Sequence, residues 1–520
     1  MSISAITYIP PLALFAAAII AYLGPEMRPA RALRRIEWAS LGALGAAALA
    51  CLALLAKGPA TGGITGSSGL GLSARLDAVS VVMLLLVSFV GWVVVRFSAT
   101  YMDGEAQQGR FTVWLCTTLA AVMMLVISGN LLQLMLAWIA TSMCLHKLLL
   151  HYPSRVAAQR AARKKWITAR LGDAALLGAA VLMYASYGTG DIATILAAAR
   201  LGDGTGASAH GIAALLALAA VLKSAQFPLH GWLTEVMETP TPVSALLHAG
   251  VVNAGGFLLI RFADVMVLAP GVLAVLVMIG GFTALFGGLV MLTQPAVKTS
   301  LAWSTVAQMG FMIFQCGLAL FPLALLHIVA HSLYKAHAFL ASGSAVEGVA
   351  TLRRPGPVAI PDGLAVGRAF VIALVIYAGV AFAFGISGKS PQAIALGAIL
   401  IFGVAYLLAQ GLADAAPRVL TQRTAALSVA AAISYFALQT GAEWMMYGTL
   451  PATPAPGPLE WALIVLALLS FGMVAAAQAL FPLWAYHPTA AGMRVHLSNG
   501  LYANAVFDKL LRGWSIKRSS

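Results

Sequence analysis

Residues 221–266, VLKSAQFPLHGWLTEVMETPTPVSALLHAGVVNAGGFLLIRFADVM, join two apolar segments through a proline-containing link. Lys223 ends the first segment, shortly before Pro228, and His248 lies within the second. A proline ring removes a helical hydrogen bond and frees the carbonyl four residues earlier, here that of Ser224. A charged group inside a membrane costs about 2.5–3.5 kcal/mol on insertion scales, so it usually serves a function. The pattern predicts a broken membrane helix with an ion-pathway lysine; a structural lysine that snorkels to the interface is the alternative.

Composition places the chain in a membrane. It has 520 residues, of which 61% are hydrophobic and 9% charged, whereas soluble domains carry about 25% charged residues. Because a spanning helix needs about 17–25 residues, we predict an all-α polytopic protein with about 15 transmembrane helices. The first is interpreted as a span rather than a cleaved signal. The predicted spans are 6–23, 38–56, 78–100, 111–128, 131–150, 172–188, 210–227, 243–264, 266–290, 300–318, 320–343, 368–387, 392–412, 424–441 and 459–484.

Lysines and arginines are distributed unevenly among the predicted connections. Most lie in the odd-numbered connections and in the C-terminal tail, and the even-numbered ones hold only Lys57, Arg75, Arg200 and Lys389. The positive-inside rule therefore predicts an N-terminus outside and a C-terminus in the cytoplasm. Membrane topology also explains the net charge of +14. We therefore expect the lipid bilayer as a partner and do not expect the protein to bind nucleic acid.

Three ionisable residues of the eleventh span have the spacing of one helix face. His327, His331 and Lys335 are at positions i, i+4 and i+8. Since imidazole both donates and accepts protons, the row is a candidate proton relay; hydrogen-bonded core residues are the alternative. His337 lies on another face and is interpreted as structural. No carboxylate or cysteine accompanies the histidines, so we predict no metal site.

The fifth span carries a lysine near its cytoplasmic end. For Lys147, both snorkelling and a role in conduction remain open. The sequence has no glycine-rich nucleotide loop, nucleophile elbow or pair of catalytic carboxylates. We therefore predict a transport or energy-coupling subunit without a catalytic site or cofactor of its own.

The tract KSAQFPLHGWLTEVMETPTPVSALLHAG resembles the antiporter-like family, which comprises the proton-translocating subunits of respiratory NADH:quinone oxidoreductase and of the Mrp-type cation/proton antiporters. Further matching tracts are ARLGDAALL (169–177), KTSLAWSTVAQMGFM (298–312), HIVAHSLYKAHAFLASGS (327–344) and NGLYANAVFDKLL (499–511). The resemblance implies a 14-helix core with two inverted five-helix repeats, in which the seventh and twelfth helices are broken. The implied domains are residues 1–110 (helices 1–3), 111–265 (first repeat), 266–415 (second repeat) and 416–520 (C-terminal helices and an amphipathic cytoplasmic tail).

The same resemblance assigns residues to an ion pathway. Lys223 matches the family's broken-helix lysine and His248 the histidine of the following helix. His327, His331 and Lys335 match the central relay. Lys389 matches the lysine of the second broken helix, although its surroundings match poorly.

One departure from the family pattern concerns the fifth helix. The family carries a glutamate directly after a tryptophan there, as the partner of the broken-helix lysine, whereas Trp138 is followed by Ile139. An isoleucine offers no countercharge, and Lys147, His146 or Asp173 are the candidates to replace it. The final lateral helix of the large respiratory subunits is also expected to be absent, since the sequence ends at Ser520.

These departures, with the basic fifth connection, look most like the DabB family, the membrane subunits of bacterial two-component inorganic carbon transporters. The resemblance implies multi-pass insertion in the bacterial inner (plasma) membrane. It also implies cation conduction that drives CO₂ hydration or bicarbonate accumulation by a partner, DabA, which resembles a zinc-dependent β-carbonic anhydrase. The zinc is expected in that partner. We expect the partner on the cytoplasmic face, at the C-terminal tail and at Arg163, Lys164 and Lys165.

The conducted ion and two other functions stay open at this point. H⁺ is favoured over Na⁺, since lysine and histidine exchange protons whereas sodium prefers oxygen ligands. A proton-translocating subunit of a respiratory NADH:quinone oxidoreductase or of an Mrp-type antiporter is the main alternative. A non-conducting scaffold that only anchors a partner is the other.

Overall fold

A computed structural model describes residues 3–23, 29–66, 69–202, 206–343, 361–412 and 418–511. Its helices up to the middle of the chain are α1 (Ile9–Leu23), α2 (Pro29–Lys57), α3 (Ala78–Tyr101), α4 (Gln108–Val126), α5 (Leu131–Leu149), α6 (Val156–Tyr187), α7 (Ile192–Arg200), α8 (Ala207–Lys223), α9 (Gly231–Thr234), α10 (Thr241–Ala249), α11 (Ala254–Arg261) and α12 (Ala263–Met266). The later helices are α13 (Pro270–Met291), α14 (Val297–Gly317), α15 (Phe321–Leu340), α16 (Gly363–Ala383), α17 (Pro391–Gly411), α18 (Arg418–Met446), α19 (Pro458–Ala479), α20 (Phe481–Trp484), α21 (Pro488–Ser498) and α22 (Ala503–Leu511).

The predicted helical membrane class is confirmed. Helical segments lie over all fifteen predicted spans, although α2 and α6 begin well before the predicted starts at 38 and 172 and the eighth span is divided among several short helices. Among the described residues, 11 helices are long and apolar enough to cross a membrane, and three shorter ones are also apolar. The number that cross, the orientation and the domain boundaries remain predictions, and the boundary at 415–416 lies outside the described residues.

Two features of the connections differ from the prediction. Strands β1 (Ala60–Thr65) and β2 (Leu72–Leu76) form an antiparallel hairpin, which extends through Ala74 to Ser128 at the α4–α5 turn. A hairpin this short, inside a connection between spans, gives no clear alternating pattern. In addition, most of the fifth connection is helical, because its alanine, arginine and lysine residues favour helix and α6 begins at Val156.

The predicted break in the seventh span is present. Helix α8 ends at Lys223, and Ala225 has a left-handed φ of 48°. The Ser224 carbonyl accepts a hydrogen bond of 2.8 Å from the Gln226 side chain, which replaces a helical donor. The chain then runs through a cis Phe227–Pro228 peptide and α9 to α10.

Two later breaks shape the rest of the bundle. The eighth span is itself divided by a 3₁₀ turn, Val251–Asn253, between α10 and α11, in a glycine-rich segment that the sequence analysis treated as continuous. The predicted break of the twelfth span follows α16, where Gly385 has a φ of 77° and a 3₁₀ turn covers Ile386–Gly388. Among the described residues, the backbone therefore leaves regular helix within the seventh, eighth and twelfth predicted spans.

One large core unites α1 to α15, and α16, α17 and α18 share a second one. The segment from α10 to α12 is almost wholly buried at the centre of the first core. Helices α13 and α14 pack backbone against backbone, since a Cβ on Gly280 would lie 2.4 Å from the Phe314 nitrogen and one on Gly310 2.5 Å from the Ala284 nitrogen. Small residues allow such close approach in membrane helices.

A buried ion-pair cluster caps α3. The Asp77 carboxylate accepts a hydrogen bond from the Ser80 backbone nitrogen at 2.8 Å and lies 2.6 Å from Nη1 of Arg261 and 2.5 Å from Nε of Arg75. Burial acts to raise the pKa of Asp77, but the two guanidinium groups outweigh it and hold the pKa well below its usual range. The cluster therefore ties the β2–α3 junction to α11.

Candidate functional site

Lys223 is buried at the end of α8, with 8% of the residue exposed. Its Nζ donates a hydrogen bond of 2.8 Å to Oγ of Ser142 and lies 4.3 Å from the ring centroid of Trp138. Ser142 and Trp138 are one turn apart on α5. A cation over an indole face is stabilised by about 2 kcal/mol when both are desolvated. Helix α5 thus supplies a hydroxyl and an aromatic face to this lysine.

A second buried lysine approaches the same serine. Nζ of Lys165, on α6, donates a hydrogen bond of 2.5 Å to the Ser142 carbonyl oxygen, and only 5% of this residue is exposed. Lys165 was predicted only as part of a basic surface for a partner. That prediction is wrong for Lys165, and also for the fully buried Lys164, because Lys165 is bonded to α5 and Lys164 is covered by the C-terminal helix.

The structure shows what surrounds Lys223 in place of the family's glutamate. Ile139 is half-buried and packs against the core. Asp173 is buried and forms an ion pair of 2.7 Å with Arg170, and both charges act on Lys223. Lys147 is exposed at the end of α5, and His146 beside it is half-buried. Of the three candidate substitutes, Asp173 is thus the one that supplies a buried negative charge.

Two pockets lie along the interface between α5 and α6. A small cavity of about 20 Å³ is lined by Trp138, Ser142, Lys165, Lys223 and Trp232, among others. A larger and more open pocket of about 330 Å³ is lined by His146, Leu150, Gln159, Ala162, Arg163 and Trp166. We call the first the lysine cavity and the second the vestibule.

A second polar cluster joins α15 to α10. The rings of His327 and His331 are 6.0 Å apart, and Nε2 of His331 lies at hydrogen-bond distance, 3.1 Å, from the His248 carbonyl oxygen. Nζ of Lys335 donates a hydrogen bond of 3.0 Å to the Leu301 carbonyl oxygen. The structure therefore brings His248, His331 and Lys335 into one buried region, with His327 half-buried at its edge.

The His248 ring is enclosed but chemically unsatisfied. It stacks on Phe339 with centroids 4.4 Å apart, and it is fully buried. Within the described chain, neither of its ring nitrogens has a hydrogen-bond partner, and the same holds for Nε2 of His327. Buried polar atoms normally find partners, so these nitrogens can receive water or exchange protons.

Lys389 lies apart from both clusters. It follows the 3₁₀ turn after α16 rather than ending a helix as Lys223 does. Its Nζ is 2.6 Å from Oε2 of Glu443 on α18 and 3.1 Å from Oγ1 of Thr440. This lysine therefore has a carboxylate partner, and its place in a pathway remains a prediction.

A third group of charges, which no sequence pattern indicates, joins α6 to the C-terminal helix. Nζ of Lys164 is 2.6 Å from Oε1 of Glu235, in the link after α9, and 2.8 Å from Oδ1 of Asp508 on α22. Burial raises the pKa of Glu235, and the Lys164 ammonium partly offsets that rise. Asn504 of α22 also contacts Thr234. The C-terminal helix thus packs against α6 and against the segment that follows the broken helix.

The described residues contain no cluster of three or more histidine, cysteine or acidic side chains that could hold a metal ion. The buried groups around the two lysines and the three histidines are nitrogen bases with few acids. Such a set can bind, hold and release protons, and it supplies few of the oxygen ligands that metal cations such as Na⁺ prefer.

Two family models match the sequence. The model described as "NADH:quinone oxidoreductase/Mrp antiporter, TM" matches residues 128–355, which include both polar clusters. The model described as "NADH-Ubiquinone oxidoreductase (complex I), chain 5 N-terminus" matches residues 64–112. Both agree with the antiporter-like resemblance.

Individual relatives indicate which branch of the antiporter-like proteins the chain resembles most. The "Probable inorganic carbon transporter subunit DabB2" of Halothiobacillus neapolitanus is 39% identical over 98% of this chain and 93% of its own length. The corresponding DabB of Hydrogenovibrio crunogenus is 50% identical over 52% of this chain and 53% of its own length. A chain of the Mrp complex from Dietzia sp. DQ12-45-1b shares the fold, with a TM-score of 0.63 at 23% identity, over 98% of this chain and 61% of that chain. The chain therefore belongs to the DabB family of inorganic carbon transporter subunits, within the wider group of antiporter-like membrane proteins.

Proposed function

We propose that this chain is the ion-conducting membrane subunit of a two-component inorganic carbon transporter. It carries H⁺ down its gradient and couples that flow to CO₂ hydration or bicarbonate accumulation by a DabA-type, zinc-containing partner. The name of the relative that matches nearly the full chain supports the transport of inorganic carbon. The partner, its zinc and the direction of coupling are parts of the proposal.

The observation that carries proton conduction is the buried contact of Lys223 with Ser142 and Trp138. A lysine held by a neutral hydroxyl and a ring face, rather than by a directly bonded carboxylate, is free to lose and regain its proton. Its position at the end of a broken helix is typical of ion sites in transporters.

We further propose that the pathway runs from Lys223 to His248 and then along His331, Lys335 and His327. The link between the two clusters passes the break at Val251–Asn253, where Val251 lines the lysine cavity and Nδ2 of Asn253 donates to the Ser332 hydroxyl. Oδ1 of Asn253 and Oε1 of Gln226 are buried without partners within the described chain, which suits ordered water. Lys389 is proposed as the corresponding lysine of the second repeat.

The charge distribution supports an N-terminus outside and a C-terminus in the cytoplasm of a bacterial inner membrane. On this orientation, α22 and the link after α9 lie on the cytoplasmic side, where we place the partner. With Lys164 and Lys165 buried, Arg163 and the C-terminal segment are the parts of the predicted partner surface that remain.

A second candidate function is a proton-translocating subunit of a respiratory NADH:quinone oxidoreductase or Mrp-type antiporter. The family model that covers residues 128–355 favours it, since its description names both. Ile139 argues against this second candidate function, because α5 has no carboxylate at residue 139 to pair with Lys223.

Co-expression with the neighbouring large subunit in a bacterial strain that lacks carbonic anhydrase tests the proposal. We expect growth in air with the wild-type pair, no growth with Lys223→Ala, and no growth when an uncoupler dissipates the proton gradient at a dose that spares growth in high CO₂. Lys57→Ala, at an exposed lysine that ends α2, is the matched control and should grow. Growth that survives both the uncoupler and Lys223→Ala would exclude an energising role.

A further inference from the structure

We propose that Lys165 is a second proton carrier, which exchanges a proton with Lys223 through Ser142 and links Lys223 to the vestibule. This inference rests on the proposed proton conduction and adds a residue and a route to it. It concerns a side chain whose sequence context predicts a position on the protein surface.

Lys165 and Lys223 share Ser142 as a hydrogen-bond partner. Lys165 is bonded to the carbonyl oxygen of Ser142 and Lys223 to its hydroxyl, so two buried lysines from α6 and α8 meet on one residue of α5. A hydroxyl donates and accepts at the same time. When Lys165 moves from the carbonyl to the hydroxyl, Oγ can accept a proton from the Lys165 ammonium while it donates its own to a neutral Lys223 amine. One proton moves between the lysines, and Ser142 is unchanged.

The charges around Lys165 and Lys223 leave the two lysines to compete for one proton. Arg170 and Asp173, both on α6, act on the two lysines, and their charges largely cancel since they pair with each other. Cys144 and His146 are the titratable groups that α5 presents nearby. Two ammonium groups close together in a buried site repel each other, so the pair favours a state with one proton to share.

Of the α6 residues that line the lysine cavity, Lys165 is the nearest in sequence to the residues of the vestibule. The lysine cavity and the vestibule occupy successive turns of the same two helices: Leu145 lines the cavity and His146 the vestibule, while Lys165 lines the cavity and Ala162 and Trp166 line the vestibule. Lys165 therefore lies between the open pocket and Lys223. On the proposed orientation, the vestibule faces the cytoplasm.

Proton flux in proteoliposomes tests the proposal. The full chain, purified with its partner, is reconstituted with a pH-sensitive dye inside the vesicles, and a potassium diffusion potential drives flux. We expect Lys165→Met to lower the flux by about tenfold or more, as for loss of a positioned proton-transfer group. Lys165→Arg should be equally slow, because a guanidinium keeps its proton. Lys57→Met is the control and should match the wild type.

A second variant and a second readout separate a carrier from a structural residue. Ser142→Ala removes one hydroxyl and keeps both lysines, so it should fold and yet slow the flux. In Lys165→Met, the residual flux should show its half-maximum at higher pH, since Lys223 no longer faces a second ammonium and holds its proton more strongly.

The outcomes are distinct. Full flux in Lys165→Arg would make Lys165 a fixed charge and overturn the proposal, as would full flux in Ser142→Ala. Full flux in Lys165→Met with none in Lys223→Met would reject Lys165 as a carrier but leave proton conduction standing. Full flux in Lys223→Met as well would overturn the proposed function itself.

Discussion

Lys164 on α6 and Asp508 on α22 form an ion pair of 2.8 Å, and the lysine side chain is completely buried between the bundle and the C-terminal helix. The same ammonium holds Glu235, in the link that follows the broken helix. Through one residue, the C-terminal helix is therefore connected to the α6 turn beside Lys165 and to the segment that follows Lys223. A partner that binds the C-terminal helix would contact an element that is paired, through Asp508, with the residue next to Lys165.

We predict that Asp508→Asn loosens the C-terminal helix. The Lys164 ammonium keeps Glu235 as a partner but loses the negative charge of Asp508. Breaking a buried ion pair costs more free energy than breaking an exposed ion pair. Backbone amides of α22 should exchange hydrogen about tenfold faster, for a loss of about 1.4 kcal/mol. Lys509→Gln, on the exposed side of the same helix, is the control. Equal exchange in both variants would show that the pair does not hold the helix.

The Asp77 cluster should govern acid stability. Its depressed pKa means that the folded protein binds a proton less readily than the unfolded chain, so stability is present above the ordinary carboxyl pKa of about 4 and is lost as pH falls. Asp77→Asn leaves Arg261 buried without its countercharge and should cost about 3–5 kcal/mol at neutral pH. Thermal unfolding in detergent between pH 3 and about 7 would measure this, and the variant should show a flatter pH dependence. A wild-type curve that is equally flat would contradict the assignment.

His248→Phe should distinguish a proton carrier from a core residue. Phenylalanine keeps the stacking on Phe339 and removes both ring nitrogens, which have no hydrogen-bond partner within the described chain. We expect folding to be retained and proton flux to fall by about tenfold or more. His337→Phe, on the exposed face of α15, should leave the flux unchanged. Unchanged flux in His248→Phe would assign this histidine to packing alone.

Ile139→Glu should restore the countercharge that the wider family carries. Position 139 lies between Trp138 and Ser142 on α5, and both contact Lys223. A carboxylate within about 4–6 Å favours the charged lysine, so the flux profile should move to higher pH and the flux at neutral pH should fall. The matched control is Ile139→Gln, which introduces a polar group of similar size without charge. Identical pH profiles for the two variants would show that the site does not sense a charge at residue 139.

Local pattern was enough to find part of the site. Lys223 before Pro228 and the row His327, His331 and Lys335 were found because proline chemistry and helical periodicity act over one or two turns. The structure places these residues in buried positions along the bundle, with His327 at the edge. Their roles stay predictions, but their positions follow from sequence.

Contacts between distant segments could not be found in the same way. Ser142 and Lys165 are 23 positions apart, and Lys164 and Glu235 are 71 apart. The basic run at 160–170 satisfied the positive-inside rule, so nothing in the sequence distinguished a lysine that faces lipid headgroups from one that enters the bundle. The rotation of α6 against α5 and α8 makes that distinction.

The sequence by itself determined the membrane class, the positions of the helices and the break after Lys223, because apolar length, charge distribution and proline chemistry are local properties. Only the tertiary structure decided which lysine meets which partner. A buried charge has to be compensated by whatever the packing of neighbouring helices brings within a few ångströms. In this chain, packing brings Ser142, Trp138 and a second lysine to the place where a glutamate was expected.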